Sequence, residues 1–308
     1  MSPNGNRRAA PRWWKRLLAA TVSLALALAA LEFGFFAYQH VRFREPPAPL
    51  PASGKPPLTI VCAGDSYVQG VGASSAVHAY PAQLEQILAQ RLPGRAVQVV
   101  NIGSGGHNTS EVLDDLQKAL PRLPRRPELV VVTCGINNFW NLHLSSALEE
   151  GYAELPVSKR WLRKLEAAHV GKMAVILWEN ARSLARQLAA QENWLSEEQK
   201  SVSLFDEKNP VEMAFVRAWI QHDLVAIGHA VQAACARPVF TQYVIGKTNE
   251  LVAQTARDND FAVCPSPGHS DIWEKAEQFA ADGWHLNDRG YAAYARKVAD
   301  CVAPFVGE

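Results

Sequence analysis

Apolar positions in this chain fall into one long run, several short runs that end in small polar residues, and helical stripes. The long run covers residues 17–38 and is broken only by Thr21, Ser23, Glu32 and Gly34. About 20 apolar residues suffice to cross a bilayer as a helix, so this stretch predicts a transmembrane anchor. Arg7, Arg8, Arg12, Lys15 and Arg16 precede it with no acid among them. Such a flank stays in the cytoplasm and sends the chain beyond the apolar run to the other side. A cleaved signal peptide is the alternative, with small residues at 25–30 as the cleavage region. Continuation of the run through Phe33, Phe35 and Phe36 favours an uncleaved anchor. Residues 45–57 contain Pro46, Pro47, Pro49, Pro51, Pro56 and Pro57, the composition of an extended, semi-rigid linker.

From residue 58 to the end, strands and helices alternate. Residues 58–63 are apolar but for Thr59, as expected for a parallel strand covered on both faces. Similar runs at 97–102, 129–134, 239–245 and 261–264 predict four more strands. Between them, Leu84, Ile87, Leu88 and Leu92 share one helical face behind Pro81, a first-turn residue. Asn108 or Thr109 caps a helix carrying Leu113, Leu116 and Leu120. A helix is expected at 248–257, and a last one at 288–302 burying Tyr291, Tyr294, Ala295, Val298 and Val302. Repeated strand–helix units imply a parallel sheet with right-handed crossovers, an α/β fold.

Residues 140–236 form a long helical insert in this pattern. Val216, Ile220, Leu224, Ile227, Val231 and Ala234 make a clear stripe, and residues 163–189 also read as helix, bent near Gly171. Two readings stand: a cap over the ligand crevice that selects substrate, or a layer that packs beside the sheet.

Composition adds bounds. The 308 residues are 48% hydrophobic and 20% charged with a net charge of +1, ordinary for a globular chain and without a field that argues for nucleic acid. Cys62, Cys134, Cys235, Cys264 and Cys301 show no zinc-type pairing, and His222 and His229 share a helix face without carboxylate or cysteine partners; no metal or cofactor is expected. Cys62 and Cys134 fall in core strands as buried thiols. Cys235, Cys264 and Cys301 supply material for one disulfide, pairing open.

The chemistry starts where the first strand ends, at Gly64-Asp65-Ser66. In an open parallel sheet the ligand crevice lies beyond the carboxyl ends of the strands, which puts Ser66 at its mouth. A serine hydroxyl needs a base to become a nucleophile. Near the other end stands Asp282-Gly-Trp-His285, spaced so that the carboxylate can hold the imidazole. Two further strand ends carry Asn101-Ile-Gly103-Ser-Gly-Gly106 and Gly135-Ile-Asn137-Asn138.

These four blocks, in this order, resemble the SGNH (GDSL-type) hydrolases over residues 58–305. The resemblance implies a flavodoxin-like three-layer sandwich with a five-stranded parallel sheet, here as one domain (58–308) behind a basic segment (1–16), the anchor (17–38) and the linker. It implies Ser66 as nucleophile, His285 as base and Asp282 as orienter. It also implies an oxyanion hole made by the Ser66 N–H, the Gly106 N–H and the Asn137 amide. Gly103 or Gly105 is the alternative to Gly106, and Asn138 the alternative to Asn137; the family usually has Asp where this chain has Asn138. Asp65 is expected to support the turn, and His78, His107 and Trp284 to line the crevice. The implied activity is hydrolysis of a carboxylic ester through an acyl-serine, on a small ester or an O-acetylated envelope or exported glycan, outside the cytoplasm. An O-acyltransferase and a non-catalytic glycan-binding protein are the alternatives.

Overall fold

The computed structural model describes residues 13–42, 55–160, 203–265 and 276–307. The expected basic segment before residue 13, most of the linker and the helix expected at 163–189 lie outside the described residues. Residues Trp13–Arg42 form one helix, α1. Among the described residues no helix is long and apolar enough to cross a membrane, so the fold does not show the expected transmembrane span.

Five strands form one parallel sheet: β1 (Leu58–Gly64), β2 (Val97–Asn101), β3 (Leu129–Thr133), β4 (Arg237–Thr241) and β5 (Ala262–Cys264), in the order β2-β1-β3-β4-β5. Ile60 pairs with both Val99 and Leu129, which puts β1 between β2 and β3. Every residue of β1 is buried. Its side chains alternate between two cores, as strand geometry requires. Val61 and Ala63 join Val130 and Val132 on one face, under α4 (Thr109–Ala119), α6 (Pro210–Ala233) and α7 (Asn249–Asp258). Ile60 and Cys62 join Leu129 and Val131 on the other, under α3 (Tyr80–Arg91) and α8 (Asp288–Val306). The short helices α2 (Ser66–Gln69) and α5 (Ser146–Glu149) follow the ends of β1 and β3.

The stripe in the insert belongs to α6. Val216, Ile220, Leu224, Ile227 and Val231 are buried against the sheet and α4. The last part of the insert is thus the crossover helix between β3 and β4, packed beside the sheet.

Two expected elements shift their bounds by two residues or more. The apolar run at 239–245 is strand only to Thr241, and the strand starts earlier, at Arg237. Beyond Thr241 the chain turns off the sheet: Tyr243 N–H donates to Asn249 Oδ1 at 2.9 Å, and Asn249 Nδ2 returns a bond to Tyr243 C=O at 2.7 Å. Tyr243 and Val244 stay buried, so an apolar run alone cannot mark where the strand stops. Helix α8 runs on past residue 302 to Val306, with Pro304 in its last turn. Cys264 and Cys301 form a disulfide that ties β5 to α8, while Cys62 and Cys134 are buried thiols and Cys235 is an exposed one. Burial pushes the Cys62 thiol up to about 12, which keeps it protonated and inert.

Candidate active site

The strand order reverses direction at β1, and the residues of interest collect at the carboxyl ends of β1, β2 and β3 beside that point, where open α/β sheets bind ligands. At the end of β1 the backbone must turn sharply. Gly64 has φ 153°, and a Cβ there would stand 2.0 Å from the Thr133 carbonyl oxygen; only glycine lets β1 and β3 end this close. Asp65 follows as the N-cap of α2, accepting from Tyr67 N–H at 3.0 Å. Ser66 is then the first helical residue, and its N–H is one of those a helix start leaves without an internal partner.

The loop 279–286 comes to this serine from the other end of the chain. Phe279 bridges to Leu286, and Gly283 N–H closes the turn on Ala280 C=O at 2.9 Å. Asp282 Oδ1 accepts from the N–H groups of Trp284 and His285, both at 2.9 Å. Its Oδ2 lies 2.6 Å from His285 Nδ1. His285 Nε2 lies 2.9 Å from Ser66 Oγ. Burial works to raise the Asp282 carboxyl. The His285 ring, the two backbone N–H groups and the nearby imidazole charge outweigh it and hold the group at about 2. An ionised Asp282 can only accept, so Nδ1 carries the ring hydrogen and Nε2 is left to accept from the Ser66 hydroxyl. Tyr67 braces the loop from below, with its hydroxyl donating to Trp284 C=O at 3.0 Å and its ring 6.1 Å from the His285 ring.

The other expected oxyanion donors lie on loops that dock beside the Ser66 turn. Ser104 N–H donates to Gly64 C=O at 2.9 Å, which docks the β2 loop beside the Ser66 turn. Gly106 has φ 78°, and a Cβ there would stand 3.0 Å from the Trp140 ring. Trp140 Nε1 in turn donates to Asn137 Oδ1 at 3.0 Å within the β3 loop, and Asn141 Nδ2 links that loop to the β2 loop by donating to Gly106 C=O at 2.7 Å. Among the described residues neither the Ser66 nor the Gly106 N–H has a hydrogen-bond partner. Gly103 N–H is engaged by Asn101 Oδ1 at 2.9 Å, which removes it as an alternative donor. Asn137 Nδ2 donates to His107 C=O at 2.9 Å and, at 3.3 Å, to Asp65 Oδ2.

Asn138, the alternative amide, is bonded to the start of α4. It is fully buried, accepts from Thr109 N–H at 3.1 Å and donates to Thr109 Oγ1 at 2.7 Å. Thr109 Oγ1 sends its one hydrogen to Asp223 Oδ2 at 2.5 Å. A carboxylate at 138 would face that oxygen with no hydrogen between them. The departure from the family pattern is therefore matched by Asp223, a buried carboxylate on α6 that also accepts from the hydroxyls of Ser110 and Ser146.

Of the remaining candidates, Asp65 does more than support a turn. It is fully buried and takes further hydrogen bonds from Asn137 and from the Tyr243 hydroxyl. Burial raises its carboxyl to about 6, against the lowering pull of Tyr243, Tyr67 N–H and the histidine charges. His107 bonds to Ser104 and Asp115. His78 bonds to Ser74 and Ser75 near Asp288, on the surface. Trp284 packs against the α8 side of the core. Contrary to the expectation of no carboxylate partner, His222 lies 3.1 Å from both Asp223, its neighbour on α6, and Glu150, which the fold brings to it; among the described residues no group of acidic, histidine and cysteine side chains has metal-site geometry. Sequence reasoning missed Tyr67, Tyr243 and Asp223. Tyr243 was hidden inside an apolar run, and Asp223 is a single polar position inside a helical stripe.

Known proteins resemble this chain in family and in fold. The model of the GDSL-like lipase/acylhydrolase family matches residues 62–293. The crystal structure of TesA superposes with a TM-score of 0.50 at 15% identity, covering 80% of this chain and 99% of that one. The psychrotrophic esterase EstA from Pseudoalteromonas sp. gives 0.46 at 14%, covering 81% and 99%. A lipase/acylhydrolase from Enterococcus faecalis gives 0.47 at 14%, covering 80% and 96%. At 15% identity TesA speaks for the fold alone. No curated protein matches the chain.

Proposed function

The chain belongs to the GDSL-like lipase/acylhydrolase family and is an ester-bond hydrolase; from this we propose a serine esterase that works through an acyl-serine on Ser66, facing outside the cytoplasm. The observation that carries the mechanism is the run of contacts Ser66 Oγ to His285 Nε2 and His285 Nδ1 to Asp282, at 2.9 and 2.6 Å.

In this reading Ser66 Oγ attacks the ester carbonyl and its proton passes to His285 Nε2. Asp282 stabilises the imidazolium. The tetrahedral oxyanion is held by the N–H groups of Ser66 and Gly106, joined by Asn137 when its longer bond, to Asp65, gives way. His285 then protonates the leaving alcohol, and a water repeats the sequence to release the acid. Loss of one oxyanion donor costs about two to three orders of magnitude in turnover.

The substrate proposed is a carboxylic ester, as a small molecule or as an O-acetyl group on an envelope or exported glycan. The location rests on the sequence: the apolar run at 17–38 behind a basic flank, then a proline-rich spacer. Leu18, Leu24, Leu26, Leu31 and Phe33 of α1, exposed in a structure of this chain alone, support an anchor. The disulfide fits an oxidising compartment.

Ser66→Ala is expected to abolish hydrolysis of 4-nitrophenyl acetate and leave the thermal melt nearly unchanged. Turnover equal to wild type would overturn the nucleophile assignment. Release from membranes by a high-salt wash would overturn the anchor, and a mature chain beginning after Ala30 would show a cleaved signal in its place.

A further inference from the structure

The turn that carries Gly106 is made of residues poorly suited to hold one shape by themselves. Ser104, Gly105, Gly106 and His107 form a β-turn, with His107 N–H donating to Ser104 C=O at 3.3 Å. Gly106, the third residue, has φ 78°, as a type II turn demands. Both central residues are glycine, the residue with the most backbone freedom to lose. An oxyanion donor lowers a barrier only if it is already aimed when charge develops. Something outside the two glycines has to fix the turn.

A line of side chains crosses it. Ser104 Oγ lies 3.0 Å from His107 Nε2, and His107 Nδ1 lies 2.8 Å from Asp115 Oδ2. Asp115 stands on α4, well inside the helix from its buried N-cap, so the line ends on a rigid element. That N-cap is itself braced: Asn108 and Glu111 form a reciprocal capping box, and Asn108 Nδ2 also reaches Asn141 C=O at 3.0 Å. The His107 side chain is 17% exposed, and both ring nitrogens are engaged, so the ring has one orientation. The backbone is held from other sides too: Asn141 Nδ2 donates to Gly106 C=O at 2.7 Å, and Asn137 Nδ2 to His107 C=O. The first and last residues of the turn are thereby tied to each other and to α4, while the Gly106 N–H between them stays without a partner among the described residues.

We propose that Ser104, His107 and Asp115 are positioning residues of the oxyanion hole: they clamp the Gly105–Gly106 turn so that the Gly106 N–H is aimed at the carbonyl oxygen of an ester held at Ser66. The proposal rests on the esterase reading of Ser66. The clamp touches no reacting atom. It acts on the transition state, where the oxyanion forms, and leaves ground-state binding alone.

The test is carried out on the full chain, with 4-nitrophenyl acetate for turnover and an alkyl trifluoromethyl ketone, which forms a tetrahedral adduct with a catalytic serine, as inhibitor. In Ser104→Ala and His107→Ala, kcat is expected to fall about tenfold or more, a fraction of the loss of a whole donor, with KM within about twofold. The inhibition constant of the ketone is expected to rise by the same factor as kcat falls. Asp115→Asn keeps an oxygen to accept from Nδ1 and is expected to retain most of the activity that Asp115→Ala loses. Should His107→Ala not fold, Ser104→Ala, which removes one hydroxyl, gives the same readout. A lowered melt with kcat and ketone affinity unchanged would make the cluster merely structural and overturn the proposal. So would labelling of Ser104 by a fluorophosphonate in Ser66→Ala, which would make Ser104 a nucleophile. Absence of any Ser66-dependent turnover in the wild-type protein would instead bring down the esterase reading beneath it.

Discussion

The hydroxyl of Tyr243 donates a hydrogen bond to the buried carboxylate of Asp65, the residue immediately before Ser66. Tyr243 reaches it from the loop beyond β4, and Asp65 shares the same oxygen, Oδ2, with Asn137. One buried acid thus joins the ends of β1, β3 and β4 under the site.

Tyr243→Phe removes that donor and leaves the carboxylate with fewer partners, at a cost of about 1–3 kcal/mol. The cost depends on pH with a definite sign. Asp65 has a folded value raised to about 6, above the ordinary value of 3.8. The folded state therefore holds the proton more tightly, and stability from this group is highest below about pH 4 and is lost as pH rises toward 6. The Tyr243 bond is strongest to the ionised acid. The gap in denaturant midpoint between wild type and Tyr243→Phe is expected to be wider at pH 8 than at pH 5. A gap that narrows on raising the pH would mean Asp65 is not the group that Tyr243 serves.

Asn138→Asp places a carboxylate against Thr109 Oγ1 while Asp223 still takes the Thr109 hydrogen. The loss is expected to be on the order of 3 kcal/mol, the scale for a buried charge without its partner. Asp223→Asn in the same chain frees that hydrogen to turn toward position 138. The double variant is expected to be more stable than the sum of the single losses allows, as read from a double-mutant cycle of chemical denaturation. Additive losses would show that Asn138 and Asp223 do not communicate through Thr109.

Asp282→Asn keeps the shape of the loop and removes the charge that sets the His285 tautomer. Turnover is expected to drop by about two to four orders of magnitude with KM little changed, and His285→Ala by at least as much. The folded Asp282 lies at about 2, below the ordinary 3.8. Its contribution to stability is present above pH 4 and disappears as pH falls toward 2, so the stability difference between Asp282→Asn and wild type closes over that window. Unchanged kcat in Asp282→Asn would detach Asp282 from His285.

The parts legible in the sequence were those with a strong period or a special backbone demand. The apolar run ending in Gly64, the stripe at 216–231 and the glycines of the β2 loop announced the sheet, α6 and the turn at Gly106. The extent of β4 was not legible, because Tyr243 and Val244 are as buried as strand residues although they belong to a loop. The polar members of the core were hidden for a related reason. Asp223, Thr109 and Ser110 interrupt patterns that are otherwise apolar or cap-like, and their partners lie on α4 and α6, over a hundred residues apart. Spacing along one element carries no information about such a meeting.

The bond between Cys264 and Cys301 divides the site between two kinds of chain. It closes a ring of backbone in which Asp282 and His285 both lie, with the two cysteines 37 positions apart, whereas Ser66, Gly106 and Asn137 are outside it. Closing a ring of that size removes freedom from the unfolded chain, and of the proposed site residues only Asp282 and His285 lie within it. A thiol reductant therefore lifts a restraint from the unfolded form of the segment that carries the proposed base, while among the described residues the segment that carries Ser66 has no such link.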